Sequence, residues 1–140
     1  MNNSFTYKKK VRATTKNLSV IRDFVSDHAE SHGFSPNHIA DIRLAVDEAC
    51  TNIIKHAYKN DASKELNIQI EVDEQKLIVT IMDKGEGFDV RTYQKPNIRK
   101  QIKEKRRGGM GVHLMLQLMD EVTYQVKNDQ NILSMCKNRN

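Results

Sequence analysis

The sequence predicts a two-layer α/β domain of the α+β kind, with a mixed, mostly antiparallel sheet covered by helices on one face. Three observations predict it. Two stretches in the first half repeat apolar residues every three or four positions, the pattern changes to strict alternation at Glu65, and two further short apolar runs close the chain. With 140 residues, 38% of them hydrophobic, the chain can bury one core, so residues 1–140 are expected to form a single domain without a linker.

Residues 5–13 alternate imperfectly and suit an edge strand whose lysines discourage unwanted pairing. From about Lys16 to His32, Leu18, Ile21, Val25, Ala29 and His32 mark one buried helical stripe, and Gly33 stops it. Ser35 then offers an N-cap and Pro36 a favourable first helical residue. Ile39, Ile42, Val46, Ala49, Ile53 and Ala57 carry this second helix to about Tyr58.

Between Glu65 and Asp73, Leu66, Ile68, Ile70 and Val72 alternate with polar residues, as a half-buried strand requires. Asp73, Glu74 and Gln75 turn the chain into a more apolar central strand, Lys76 to Met82, which Asp83 ends. Residues 84–108 are basic, contain Pro96 and lack periodicity, which suits a lid rather than an incidental connection. After Gly111 a short helix is expected through Leu114, Met115, Leu118 and Met119. Strands near Glu121–Val126 and Ile132–Cys136 follow, separated by an Asn128-Asp129-Gln130-Asn131 turn.

The net charge of +5 and a sequence pI near 9.2 raise nucleic acid as a partner. Lys8 to Lys10 form one basic cluster and Arg99 to Arg107 another, yet no interleaved aromatics, zinc-finger pattern or RNA-binding motif accompanies them. The second cluster adjoins glycines, so nucleotide phosphates are the preferred partner and direct nucleic-acid binding is not expected. No run approaches the roughly 20 apolar residues of a membrane span. The N-terminus carries no apolar signal region, so a cytoplasmic protein is expected. Cys50 and Cys136 lack metal-ligand spacing and suit reduced, mostly buried thiols.

Three constellations carry chemistry. In Asp47-Glu48-Ala49-Cys50-Thr51-Asn52, Glu48 and Asn52 lie one helical turn apart at or beyond the edge of the buried surface. From this helix alone they read first as a solvated polar face; the functional reading is a carboxylate able to accept a proton near an amide oxygen able to coordinate Mg²⁺. Asp83-Lys84-Gly85-Glu86-Gly87-Phe88 reads equally as a tight turn with two residues of positive φ or as a strand-terminal carboxylate that accepts from an exocyclic amine, with two glycines baring the backbone to a ring. In Arg106-Arg107-Gly108-Gly109-Met110-Gly111, glycines let backbone N–H groups approach phosphates at a helix N-terminus. It is not a Walker A loop, which would end in Gly-Lys-Ser/Thr.

In this order and spacing the three resemble the N, G1 and G2 boxes of the histidine-kinase-like ATPase superfamily, whose ATP-binding fold is the Bergerat fold. The stretches DEACTNIIKHAYK, DKGEGF and GGMGVHLMLQLMDEV are similar to the bacterial anti-sigma-factor serine/threonine kinases. That resemblance implies ATP and Mg²⁺ as cofactors. Glu48 would be the general base, Asn52 the Mg²⁺ ligand and Asp83 the acceptor for the adenine amine. Gly85 and Gly87 would shape the base pocket, Gly109, Met110 and Gly111 would meet the phosphates, and Arg107 would reach the terminal phosphates. The family also implies a homodimer that binds a sigma factor and phosphorylates an anti-anti-sigma protein.

The chain departs from the family where Asp129-Gln130-Asn131-Ile132 replaces the usual Gly-Thr pair. That turn is expected to support the phosphate end of the site without supplying an essential side chain. A histidine kinase is disfavoured, because His28-Ala29-Glu30 lacks the downstream proline of an acceptor box. The alternative is a non-catalytic, ATP-dependent partner-binding regulator of the same fold, which has no need of a base at Glu48.

Overall fold

The computed structural model describes residues 3–85 and 114–139. In chain order these form β1 (Phe5–Arg12), a 3₁₀ turn (Thr15–Asn17), α1 (Leu18–Ser31), α2 (Pro36–Asn52) and a π-helical turn (Ile53–Ala57). Then come β2 (Glu65–Val72) and β3 (Lys76–Asp83), helical residues 114–118, β4 (Glu121–Lys127) and β5 (Gln130–Asn138). The strands form one five-stranded sheet in the order β1-β2-β3-β5-β4, and each pairing is antiparallel. It is the mostly antiparallel sheet of the sequence reading in its simplest form. The lid expected at 84–108 lies outside the described residues, apart from Lys84 and Gly85.

Alternation sets which face of the sheet is buried. Leu66, Ile68, Ile70 and Val72 of β2, Leu77, Val79 and Ile81 of β3, and Leu133 and Met135 of β5 all point to the helical layer, each at most 3% exposed. Against them α1 buries Ile21, Val25 and Ala29, and α2 buries Ile42, Ala45, Val46, Ala49 and Cys50. Each large aliphatic side chain buried this way contributes roughly 1.5–3 kcal/mol, which makes this two-layer core the main source of stability. β1 is an edge, as expected, and only Tyr7 and Val11 of it pack on the core.

Local signals fix the corners. Gly33, at φ 83°, takes the left-handed position that ends α1, with Phe34 N–H donating to Ala29 O at 3.1 Å and Gly33 N–H to Glu30 O at 3.0 Å. The Ser35 hydroxyl accepts from His38 N–H at 3.2 Å and starts α2 with Pro36 in its first turn. Arg139 closes the other side of this corner. Its guanidinium donates to Asp73 O at 3.2 and 3.0 Å and to His32 O, and it lies 4.5 Å from the Phe34 ring centroid.

The structure differs from expectation at two ends. The second helix leaves α geometry at Asn52 and widens into the π-helical turn, where Tyr58 N–H donates to Ile53 O at 2.8 Å. Lys59 and Asn60, both at positive φ, then end it. The last hairpin turns on two residues rather than four, because Asn128 and Asp129 adopt φ of 53° and 61° and leave Gln130 and Asn131 in β5. Of the thiols, Cys50 is buried, whereas Cys136 is half-buried on the sheet face away from the helices.

Candidate functional site

The site starts at the C-terminal half of α2. Glu48 is half-buried, whereas Asn52, expected at or beyond the edge of the buried surface, is only 8% exposed. The buried face of this helix is wider than the expected stripe, since Ala45, Cys50 and Ile54 are covered as well. Asn52 Nδ2 is buried and has no hydrogen-bond partner among the described residues. A buried amide left unpaired costs roughly 1–3 kcal/mol, and in native proteins such a group usually answers to water, an ion or a ligand.

Asp83 ends β3 and is 4% exposed. It stands opposite Asn131 in the β3–β5 ladder, on the face that packs against the helices. Its Oδ1 accepts from Asn131 Nδ2 at 2.9 Å and from Gly85 N–H at 2.9 Å. Burial pushes this carboxyl above the usual carboxylate range, while those two hydrogen bonds pull the other way. Asp83 also lies within electrostatic reach of α2. Burial first, and then the carboxylates of Asp47 and Asp83, raise the Cys50 thiol far above its ordinary value. That burial disfavours the thiolate, and the Asp83 carboxylate acts on it from near the helix that carries Glu48 and Asn52.

Tyr58 and Gly85 complete the floor. The Tyr58 hydroxyl donates to Glu65 O at 2.7 Å and accepts from Lys84 N–H at 2.8 Å, so it ties the start of β2 to the end of β3. A Cβ on Gly85 would lie 2.8 Å from Ala57 O and 2.8 Å from Tyr58 Cδ1, which leaves glycine as the residue that fits against the π-helical turn. Asn131 Nδ2 also donates to Gly85 O at 3.1 Å. Beside Asp83 a cleft of about 410 Å³ is lined by Tyr58, Glu65 and the cations Lys10, Lys64 and Lys84. Neither Glu48 nor Asn52 lines it.

The donor set fits Mg²⁺ better than a metal held by protein alone. Among the described residues no group of three or more His, Cys, Asp or Glu could hold an ion. Mg²⁺ keeps several waters and takes one or two protein oxygens besides substrate phosphates, so a single buried amide such as that of Asn52 is a sufficient protein contribution. The atom without a partner among the described residues is Nδ2, a donor, so holding Mg²⁺ requires the amide to turn its oxygen toward the ion.

Of the residues singled out in the sequence, Glu48 and Asn52 fall on the expected helix and Asp83 at the end of the expected strand, with Gly85 in the bend two residues beyond it. Gly87, Arg107, Gly109, Met110 and Gly111 lie outside the described residues. Sequence reasoning passed over two members. Tyr58 reads as the end of a helix, and nothing in its pattern marks a hydroxyl that bridges two strands. Asn131 reads as part of a turn with no essential side chain, but its amide reaches Asp83 because the shorter turn places it in β5. Pairing the end of β3 with the start of β5 would have found it.

Comparison with known proteins agrees with this architecture. The profile of the histidine kinase-like ATPase domain matches residues 11–137. A serine-protein kinase RsbW from Bacillus subtilis (strain 168) is 37% identical over 131 residues, covering 89% of this chain and 80% of its own length. Its counterpart from Bacillus licheniformis is 36% identical over 124 residues, covering 86% and 77%. Among solved structures, a chain of the SiaB–SiaC complex from Pseudomonas aeruginosa superposes with a TM-score of 0.69 at 16% identity, covering 94% of this chain and 88% of that one. The RsbU and RsbW domains of Rv1364c from Mycobacterium tuberculosis superpose with a TM-score of 0.68 at 14% identity, covering 95% and 32%. The α+β fold is thus that of these neighbours, and the chain belongs to the histidine kinase-like ATPase family and, within it, to the RsbW-type serine-protein kinases.

Proposed function

We propose that this chain is an ATP-dependent protein serine/threonine kinase that acts as an anti-sigma factor, phosphorylating an anti-anti-sigma protein and sequestering a sigma factor. It does so as a homodimer in the cytoplasm, with residues 84–108 covering the nucleotide. The observation that carries this reading is the buried amide of Asn52, whose Nδ2 has no hydrogen-bond partner among the described residues, one helical turn from Glu48 and on the helix that carries Cys50 near Asp83. Relatives named as serine-protein kinases support it. Among the described residues no helix is long and apolar enough to cross a membrane, which is compatible with the assigned compartment.

Asp83 accepts from the adenine amine, and Gly85 with Gly87 leaves room for the ring. Arg107 and the backbone of Gly109, Met110 and Gly111 meet the phosphates. Asn52 would hold Mg²⁺, whose part when bound is to neutralise phosphate charge. Glu48 takes the proton of the acceptor hydroxyl as that oxygen forms its bond to the terminal phosphorus of ATP, whose bond to the ADP oxygen breaks. Such transfer needs positioning and charge neutralisation more than covalent chemistry from the protein.

Incubation with γ-labelled ATP and purified candidate anti-anti-sigma proteins tests the reading. Acid-stable label on the second protein is the expected result. Acid-labile label on this chain itself would indicate histidine chemistry and overturn it.

A further inference from the structure

We propose that Asn131 is a specificity-determining positioning residue, whose side-chain amide holds Asp83 as an acceptor-only group and so selects a purine with an amino rather than an oxo substituent at C6. This rests on the proposed function, in which Asp83 faces the base. Asn131 has both amide hydrogens engaged, one on Asp83 Oδ1 at 2.9 Å and one on Gly85 O at 3.1 Å. Its orientation is therefore determined, since the reversed amide would set its oxygen against two acceptors. At 5% exposure it has no solvent to turn to.

Two donors, Asn131 Nδ2 and Gly85 N–H, converge on Asp83 Oδ1, and Oδ2 has no hydrogen-bond partner among the described residues. The carboxylate is thus divided into an anchored oxygen and one left for ligand. Hydrogen bonds to an ionised carboxylate favour that form and oppose the effect of burial. Ionised, the group can only accept, so a 6-amino purine is matched and a 6-oxo purine meets lone pair against lone pair. Without the Asn131 donor, burial acts with less opposition, Asp83 takes up a proton more readily, and the neutral acid can donate to an oxo group.

Other titratable groups around Asp83 do not replace this control. The Cys50 thiol on α2 and the Tyr58 phenol after the π-helical turn are both raised by burial and stay neutral. Lys10 on β1, Lys64 and Glu65 at the start of β2, and Lys84 after β3 line the cleft, and none of them hydrogen-bonds the Asp83 carboxylate.

Calorimetric titration of the full chain with Mg-ATP and with Mg-ITP, which carries an oxo group at C6, tests this at pH 6 and pH 8. Wild type is expected to prefer ATP at both. Asn131→Ala should lower the ATP-over-ITP ratio about tenfold, equivalent to about 1.4 kcal/mol, and more at pH 6 than at pH 8. Asn131→Leu keeps the approximate shape and removes both donors without adding a charge beside Asp83, so it should do the same; it decides the matter if the alanine variant does not fold. Asn131→Thr, with one hydroxyl donor, should restore most of the ratio. An unchanged ratio in either folded donor-less variant, or a loss independent of pH, overturns the inference. If wild type binds ATP and Asp83→Asn abolishes that binding while the Asn131 variants keep the ratio, only this inference falls. A wild type that binds neither nucleotide removes the proposed function as well.

Discussion

Replacing Gly85 by alanine adds one methyl group at the tightest point of the site. Its carbon would sit 2.8 Å from Ala57 O, 2.8 Å from Tyr58 Cδ1 and 2.9 Å from Ala57 C, and the first and last of these are backbone atoms that no rotamer change can move. Reaching an ordinary contact of 3.4 Å requires a retreat of about 0.6 Å. Gly85 N–H lies 2.9 Å from Asp83 Oδ1, so a retreat of that size in the wrong direction carries it past the limit of a good hydrogen bond. Overpacking of this kind costs about 1–3 kcal/mol, and the loss of a hydrogen bond to a charged group adds a contribution of similar size. Gly85→Ala is therefore expected to lower the unfolding free energy by about 4 kcal/mol in urea titration and to weaken ATP binding about tenfold or more by calorimetry. Wild-type stability together with wild-type ATP affinity would show that the end of β3 does not need to lie against the π-helical turn.

Asp83→Asn separates stability from binding. The folded chain holds the Asp83 proton more tightly than the unfolded chain does. The group's contribution to stability is thus fully present below the ordinary value of 3.8 and is lost as pH rises through the raised one. The asparagine variant should therefore be more stable than wild type at pH 7, with the advantage fading in acid, while its ATP affinity falls; superimposable pH–stability curves would contradict this. Arg139→Ala removes the clamp on Asp73 O, His32 O and the Phe34 ring and should cost about 2 kcal/mol in urea unfolding, a figure that a change below about 0.5 kcal/mol would refute. Tyr58→Phe leaves Glu65 O and Lys84 N–H without their bridge and should destabilise by about 1–2 kcal/mol; an unchanged melting temperature would show that water replaces the hydroxyl.

The layers were legible in the sequence because one face of each element is buried. Alternation from Glu65 and the apolar run after Lys76 mark β2 and β3 almost to the residue, since a shift by one would turn Ile68 and Val79 to solvent. Ser35-Pro36 and Gly33 mark helix ends through geometry that few other residues satisfy. What escaped depends on contacts between distant segments. Asn128, Asp129, Gln130 and Asn131 are all turn formers, and composition does not say that two suffice; that difference moves Asn131 from a loop to the partner of Asp83. Asn52 on a helix suggests a solvated face, and only the wider packing of α2 buries it. The π-helical turn at Ile53–Ala57 continues the helical period closely enough that no residue type announces it.

Purified Glu48→Ala separates a base acting on the acceptor from the groups acting on the nucleotide. Calorimetry with Mg-ATP and phosphate transfer to an anti-anti-sigma protein would be measured on the same preparation, beside Asn52→Ala. Glu48→Ala is expected to bind Mg-ATP like wild type and to lose transfer by roughly 10²- to 10⁴-fold, whereas Asn52→Ala loses both. Full transfer activity in Glu48→Ala would falsify the assignment of the base, and loss of nucleotide binding in that variant would place Glu48 among the groups that hold ATP.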